Sequence, residues 1–464
     1  MVLSESVSHS GGREAVLGWV LNLVYVLLIA AVSPLLIWRS VRQGKYRQGW
    51  SEKLWGRLPE RTCGSGSQYR RPLIWLHAVS VGEVLQLRTI VARLKQQRPD
   101  CDLLITTTTS TGHGVAKEQF PDCTVAYFPL DFTWAVRAAV KRVQPALVVL
   151  VELELWPNFI RQAHQSGVSI VLINGRMSQS SFRGYCRIRP LMRSLLGRFE
   201  HLAVQTEEYA SRLIELGASP DRVTVTGSVK FDGVNTNRHT AESDALRCAL
   251  GISPDERVFI AGSTHEPEEQ VALRTYSVLR REFADLRLVL VPRHAERFDE
   301  VAKLVLDHGF PLTRRSTSID SFQSGPMHDQ PDALVALLDT LGELSTCWAL
   351  ADVAFVGGSL TSRGGQNMIE PAGYGAAVIV GPNTHNFRDV VEGLQFHDGI
   401  CVIPQAGDLT PTVRERLQNP AEAHRQGVAA QAFVMSQQGA TERTMDLLIR
   451  LLPSPIQTPQ RRAA

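Results

Sequence analysis

The chain has 464 residues, which at about 150 residues per domain points to two large domains or three smaller ones. Hydrophobic residues make up 44% of it and charged residues 20%, a balance that excludes a disordered, collagen-like or coiled-coil chain. The formal net charge of +3 supplies no global field for nucleic acid, so no nucleic-acid partner is expected. The seven cysteines are odd in number and never spaced Cys-x-x-Cys. They read as thiols in a reducing compartment, and no metal site is expected from them.

Leu17 to Trp38 runs twenty-two residues without a charge. As a helix it would span about 33 Å, against about 30 Å of hydrocarbon, which predicts an N-terminal transmembrane anchor within residues 1–39. Arg39, Arg42, Lys45 and Arg47 follow the span, while Arg13 and Glu14 cancel before it. The positive-inside rule then puts the remainder on the cytoplasmic side. Residues 40–72 read as a basic juxtamembrane linker containing Gly64-Ser65-Gly66-Ser67. From Leu73 short apolar runs alternate with helical patterns: LIWLHAV, DLLITTT, ALVVLV, SIVLIN, HLAVQ and RVTVTG, with one long helical stretch from Ser180 to Leu196. Runs of this kind are buried on both faces, the mark of a parallel sheet between helices.

The pattern lapses after Phe231 and restarts with RVFIAGS, LRLVLVP, ALVAL, ADVAFVGG, AAVIVGP and GICVIP. The expected layout is therefore a Rossmann-like lobe over 73–240 and a second over 241–452. A disordered tail, 453–464, follows the helical segment Ala421–Leu452. Two such lobes predict a central cleft at the carboxyl ends of their strands.

No Gly-x-x-x-x-Gly-Lys-Ser/Thr occurs, and Gly112-His-Gly114 meets Lys117 where a dinucleotide turn needs its third glycine. His265-Glu266-x-x-Glu269 lacks the second histidine of a metalloprotease helix and reads as an acidic first turn. The informative loops follow strands. Glu83, in His77-Ala-Val-Ser80-Val-Gly-Glu83, reads either as a base facing the cleft or as a residue favouring its helix N-terminus. Strand alternation puts Glu152 and Glu154 of Glu152-Leu-Glu-Leu-Trp-Pro157 on one face, where two carboxylates are costly unless they serve a site. Lys230 lies where the first lobe ends. In Gly364-Gly-Gln-Asn-Met-Ile-Glu370 two glycines allow close approach of a phosphate, and Glu370 can accept a ribose diol. Ser181 to Phe199 carries Arg183, Arg187, Arg189, Arg193 and Arg198 without an acid, which reads as a lobe helix or as a surface near bilayer headgroups and acceptor phosphates.

HAVSVGE, TTTSTG, ELELWPN, TGSVKFD, AGSTHEPEE, LVPRHAERF, DTLGEL, FVGGSL, GGQNMIEPA and GPNTHNF occur in the order seen in the 3-deoxy-D-manno-octulosonic acid (Kdo) transferases. The chain resembles that family from about Leu17 to Phe387. The resemblance implies an α/β GT-B glycosyltransferase fold, CMP-Kdo as donor and a lipid A precursor, lipid IVA, as acceptor. It further implies inversion at the anomeric carbon, work in lipopolysaccharide biosynthesis at the cell inner membrane, membrane lipids as partners, and no cofactor or metal. By the same resemblance Glu83 is the proton acceptor, and Glu154 and Lys230 stabilise the transition state. Ser263, Pro292, Arg293, Leu341, Gly342, Glu343, Asn367, Met368, Ile369 and Glu370 then contact CMP. Gln366 departs from the histidine many relatives carry and cannot become cationic. Val151-Glu152-Leu153 is also less usual before Glu-Leu-Trp-Pro. A UDP-sugar glycosyltransferase of the same fold is the alternative, separated by stabilisation with UDP in place of CMP. A catalytically silent binding protein is a further one, although Glu83 and Glu370 are both present.

Overall fold

The computed structural model describes residues 16, 18–33, 38, 42, 48–60, 71–317 and 335–454. They divide into two units, one running to Asp232 and resuming at Gln438, the other from Gly233 to Gln437. In the first unit the apolar runs become β1 Leu73–His77, β2 Asp102–Thr107, β4 Leu147–Val151, β5 Ser169–Gly175, β6 His201–Val204 and β7 Val223–Val225. The four-residue edge strand β3, Thr124–Tyr127, is too short to stand out in the sequence. Their order is β3-β2-β1-β4-β5-β6-β7, with Leu76 beside both Ile105 and Val149 in a parallel ladder. Side chains alternate: Trp75, Leu150 and Leu172 enter one core and Leu76, Val149 and Val171 the other.

The second unit holds β8 Arg257–Thr264, β9 Leu286–Pro292, β10 Leu312–Arg314, β11 Val335–Leu337, β12 Val353–Val356, β13 Ala377–Val380 and β14 Ile400–Val402. Its order, β10-β11-β9-β8-β12-β13-β14, is also wholly parallel. Each sheet reverses its winding beside its first strand, at β1/β4 and at β8/β12. Open α/β sheets bind ligands at such reversals, beyond the strand carboxyl ends.

The structure corrects several expectations. No helix among the described residues is long and apolar enough to cross a membrane. Within Leu17–Trp38 the described helical run covers 18–33, and residues 34–37 lie outside the described residues. One side of that run is held by the first unit: Asn22 exchanges hydrogen bonds with Thr133 (2.8 and 3.1 Å), and the Tyr25 hydroxyl donates to Asp131 Oδ2 at 2.8 Å. Its other side exposes Trp19, Leu23 and Leu27. Part of the expected linker belongs to the lobe as well. Residues 48–60 form the helix Trp50–Trp55 and bury Leu58 completely, while Glu52 accepts the Tyr127 N–H at 2.5 Å.

The stretch Ser180–Leu196 is two helices, Gln179–Cys186 and Arg189–Leu196, because Pro190 lacks an N–H and disfavours helix before it. The last helical segment also breaks, at Gly439 with φ +91°. Its second half, Ala440–Leu451, packs Ala440, Met445 and Leu448 into the first unit's core, so the second lobe ends near 437 rather than 452.

Candidate active site

In the first unit, β1 ends at His77 and the helix Val81–Gln97 begins behind its cap Ser80. Ser-x-x-Glu is a capping-box spacing, which brings Glu83 back over the helix start. Glu83 Oε2 accepts the Val79 N–H at 2.9 Å, and Oε1 accepts the Ser80 hydroxyl at 2.8 Å. The capping contact read from the sequence is therefore real. Glu83 as a whole is only 8% exposed. Burial pushes its pKa up, the Val79 and Ser80 hydrogen bonds pull it down, and the Glu152 charge adds to the rise.

Glu154 follows β4, the neighbour of β1 across the reversal. Trp156 Nε1 donates to its Oε2 at 2.8 Å. Burial first, and the Glu83 charge second, push the Glu154 carboxyl up to about 7. The expected alternation of Glu152 and Glu154 fails, because β4 stops at Val151 and Glu152 adopts φ +61°. The two carboxylates nevertheless both act on Glu83 or are acted on by it. Lys230 lies in the 3₁₀ turn Val229–Phe231 after β7, half-buried, and its neighbour Val229 joins the core under the Glu83 helix. A base candidate and two further carboxylates thus meet at the β1 and β4 tips, while Lys230 lies on the turn beyond edge strand β7 of the same sheet.

The second unit gathers its candidates at the adjacent tips of β11, β9, β8 and β12. Ser263, near the end of β8, is half-buried with φ +52°. Pro292 closes β9, and the Arg293 N–H donates to the Thr264 carbonyl at 3.0 Å, leaving its side chain exposed. Beyond β11, Leu341 is 75% exposed, Gly342 has φ +89°, and Glu343 pairs with Arg315 at 2.9 Å. Beyond β12, Gly364 and Gly365 take positive φ, and Asn367 Nδ2 donates to Glu370 Oε1 at 3.0 Å. Burial pushes Glu370 up while Asn367 restrains it. Met368 and Ile369 are buried, backbone included.

Gln366 Nε2 stands 3.3 Å from His265 Nε2. Burial, reinforced by the Arg363 charge, pushes His265 down to about 4, so the imidazole is neutral near pH 7. Its ring nitrogen can then accept the amide, which gives the uncharged Gln366 a defined role.

Three residues escaped the sequence reading. Glu268, within the acidic first turn, is 0% exposed and accepts the N–H groups of His265, Gly358 and Leu360 at 2.9, 2.7 and 2.9 Å. Gln86 and Asn174 bond each other at 2.5 Å across 88 residues of chain. The only sequence signal for Asn174 is an asparagine at a strand end, where it tolerates the left-handed φ of +51°. Among the described residues no group of three or more His, Cys, Asp or Glu side chains is arranged to hold a metal ion.

Two wholly parallel α/β units, each with a winding reversal beside its first strand, define a two-lobed, GT-B-like α/β fold. The chain is similar to a UDP-GlcNAc 2-epimerase from Neisseria meningitidis bound to UDP-GlcNAc (12% identity, 82% of this chain, 100% of that one, TM-score 0.55). It is similar also to a glycosyltransferase from Rickettsia africae (11% identity, 82% and 99%, TM-score 0.52). At these identities the likeness shows the fold alone. The family model for 3-deoxy-D-manno-octulosonic-acid transferase (kdotransferase) matches residues 48–233. The 3-deoxy-D-manno-octulosonic acid transferase of Bordetella pertussis is 33% identical over 92% of this chain and 98% of its own length. That of Haemophilus influenzae is 32% identical over 91% and 97%. The chain belongs to the 3-deoxy-D-manno-octulosonic acid transferase family.

Proposed function

We propose that the chain is an inverting glycosyltransferase moving Kdo from CMP-Kdo to a lipid A precursor, lipid IVA, in lipopolysaccharide biosynthesis. The observation that carries this reading is Glu83. A buried carboxyl with raised proton affinity and defined hydrogen bonds, at the β1/β4 reversal of a family member, is suited to general base work. Glu83 takes the proton from the incoming hydroxyl as its oxygen bonds the anomeric carbon and CMP departs with the electrons of the broken bond. Glu154 meets positive charge developing on the sugar ring, and Lys230 meets negative charge on the leaving phosphate. In the second lobe Glu370 accepts the ribose hydroxyls. Ser263, Pro292, Arg293, Leu341, Gly342, Glu343 and the segment Asn367 to Ile369 complete the proposed nucleotide contacts. The leaving group is a monophosphate, so the proposal includes no metal and no cofactor.

Membrane lipids are the proposed partner of two surfaces on the first unit. The helical run 18–33 exposes Trp19, Leu23 and Leu27, and Arg183, Arg187, Arg189 and Arg193 are exposed on the segment between β5 and β6. An apolar face and a cationic face of this kind suit association with an anionic inner-membrane surface from the cytoplasmic side. Purified protein incubated with CMP-Kdo and a lipid A precursor should yield a product heavier by Kdo units in mass spectrometry. CMP should raise the Tm and UDP should not. Transfer from a UDP-sugar, with none from CMP-Kdo, would overturn the reading.

A further inference from the structure

Glu152 holds φ at +61°, a left-handed conformation that costs a residue with a Cβ about 1–2 kcal/mol. Strain of this sort persists where surrounding contacts determine it. The Glu152 N–H donates to the Ile173 carbonyl at 3.0 Å, and Glu152 Oε1 accepts Gln86 Nε2 at 3.3 Å. Gln86 Oε1 in turn accepts Asn174 Nδ2 at 2.5 Å, and Asn174 Oδ1 accepts the Val229 N–H at 3.3 Å. The direction of this chain is set at its first link. A backbone N–H can only donate, so Asn174 turns its oxygen to Val229 and its NH₂ to Gln86. Gln86 must then turn its own NH₂ to Glu152. Asn174 is 1% exposed, and its backbone carbonyl accepts Gln205 Nε2 at 3.0 Å.

Gln86 lies three residues beyond Glu83 on one helix, hence on the same face. The relay therefore ends with Glu152 one turn from Glu83, on the turn that also carries Glu154. We propose that Asn174 and Gln86 form a one-directional amide relay that fixes the Glu152 carboxylate beside Glu83, making Asn174, Gln86 and Glu152 positioning residues for the general base. The Glu152 charge raises both Glu83 and Glu154. The relay holds that charge where it keeps Glu83 a stronger base than burial alone would.

Several other ionisable groups on elements packed around the Glu83 helix have partners of their own: at the end of β1, His77 Nδ1 lies 3.1 Å from the Thr106 carbonyl, and burial pushes its imidazole down to about 3. His113 stacks on Tyr127 at 4.1 Å and feels Lys117. Glu442 pairs with Arg93 at 3.6 Å, and Arg443 donates to the Thr226 carbonyl at 2.8 Å. Lys230 follows Val229, the donor that starts the relay.

This inference rests on Glu83 being the base, and the test separates the two. The pH dependence of kcat/KM is measured with CMP-Kdo and a detergent-dispersed lipid A precursor on the full chain. A base must be deprotonated, so activity rises with pH along an acid limb set by the free enzyme. Glu152→Gln removes the charge, and Gln86→Met removes the relay at a half-buried position without changing charge; Gln86→Ala serves where methionine disturbs folding. Each should move the acid limb to lower pH, Glu152→Gln the further. The Glu152→Gln/Gln86→Met double variant should move no further than Glu152→Gln alone, since the relay acts through the Glu152 charge. A structural role for Gln86 would lower kcat with the limb in place. An unshifted limb in both Gln86 variants, or additive shifts in the double variant, overturns the relay. An acid limb that survives in Glu83→Gln overturns the base assignment itself, and the relay with it.

Discussion

Glu83 and Glu268 hold corresponding places in the two lobes. Each lies in the first turn of the helix that follows its lobe's first strand, each is buried, and burial pushes each carboxyl up. Their partners differ. Glu268 is saturated by three backbone N–H groups, two of them in the loop after β12, so it ties the β8 turn to the β12 turn. Glu83 has one backbone N–H and one hydroxyl, and other carboxylates nearby. The same topological position yields a structural pin where backbone donors fill both oxygens, and, where they leave capacity over, a carboxylate suited to the base role proposed for Glu83. Placement at a winding reversal nominates a carboxylate. Its hydrogen-bond inventory decides what it does.

Substitution can break that comparison. The largest expected effect is on turnover in Glu83→Gln, which keeps the shape and removes the basic carboxylate. Transfer at saturating donor should fall about 10²–10⁴-fold with little change in Tm. In the second lobe the balance should invert. Glu268→Gln strands backbone donors and should destabilise by about 3 kcal/mol, roughly 6–12 °C in Tm for a lobe of this size. Calorimetric scanning checks this, and an unchanged Tm contradicts the pin. Glu370→Gln should weaken CMP binding about ten- to two-hundredfold, the worth of a charge-assisted hydrogen bond of roughly 1.5–3 kcal/mol, with turnover recovering in excess donor.

Replacing Arg187, Arg189 and Arg193 together by Gln should raise the KM for lipid acceptor roughly tenfold and leave CMP affinity alone. Equal KM values would remove that surface from acceptor binding. The smallest effect concerns Glu154, whose carboxyl is raised from 4.5 to about 7. The folded state binds that proton more tightly than the unfolded chain, so stability falls as pH rises from 4.5 to about 7. A Tm series across that window should show a shallower decline in Glu154→Gln than in the wild type.

The sheets were largely legible because their strands are continuous apolar runs: ALVVLV is β4 and LRLVLVP is β9, nearly residue for residue. Three-residue edge strands such as Leu312–Arg314 bury too little to leave a pattern. The helix Ala440–Leu451 announced its apolar face, but periodicity does not say which core receives it. Leu17–Trp38 illustrates a related limit: hydropathy registers the apolar side and is blind to the anchoring that Asn22 and Tyr25 provide. At the site, Glu83 was visible as a carboxylate where a strand ends and a helix begins. Gln86 and Asn174 were not, since hydrogen bonds across 88 residues leave no local spacing to read.

In the proposed function chemistry falls to the first lobe and donor binding to the second, and the CMP affinity of Glu83→Gln tests that division most directly. Isothermal titration of CMP should give this variant the wild-type affinity while its turnover is lost. Weakening as large as that produced by Glu370→Gln would contradict the assignment, because Glu83 would then be holding the donor rather than activating the acceptor.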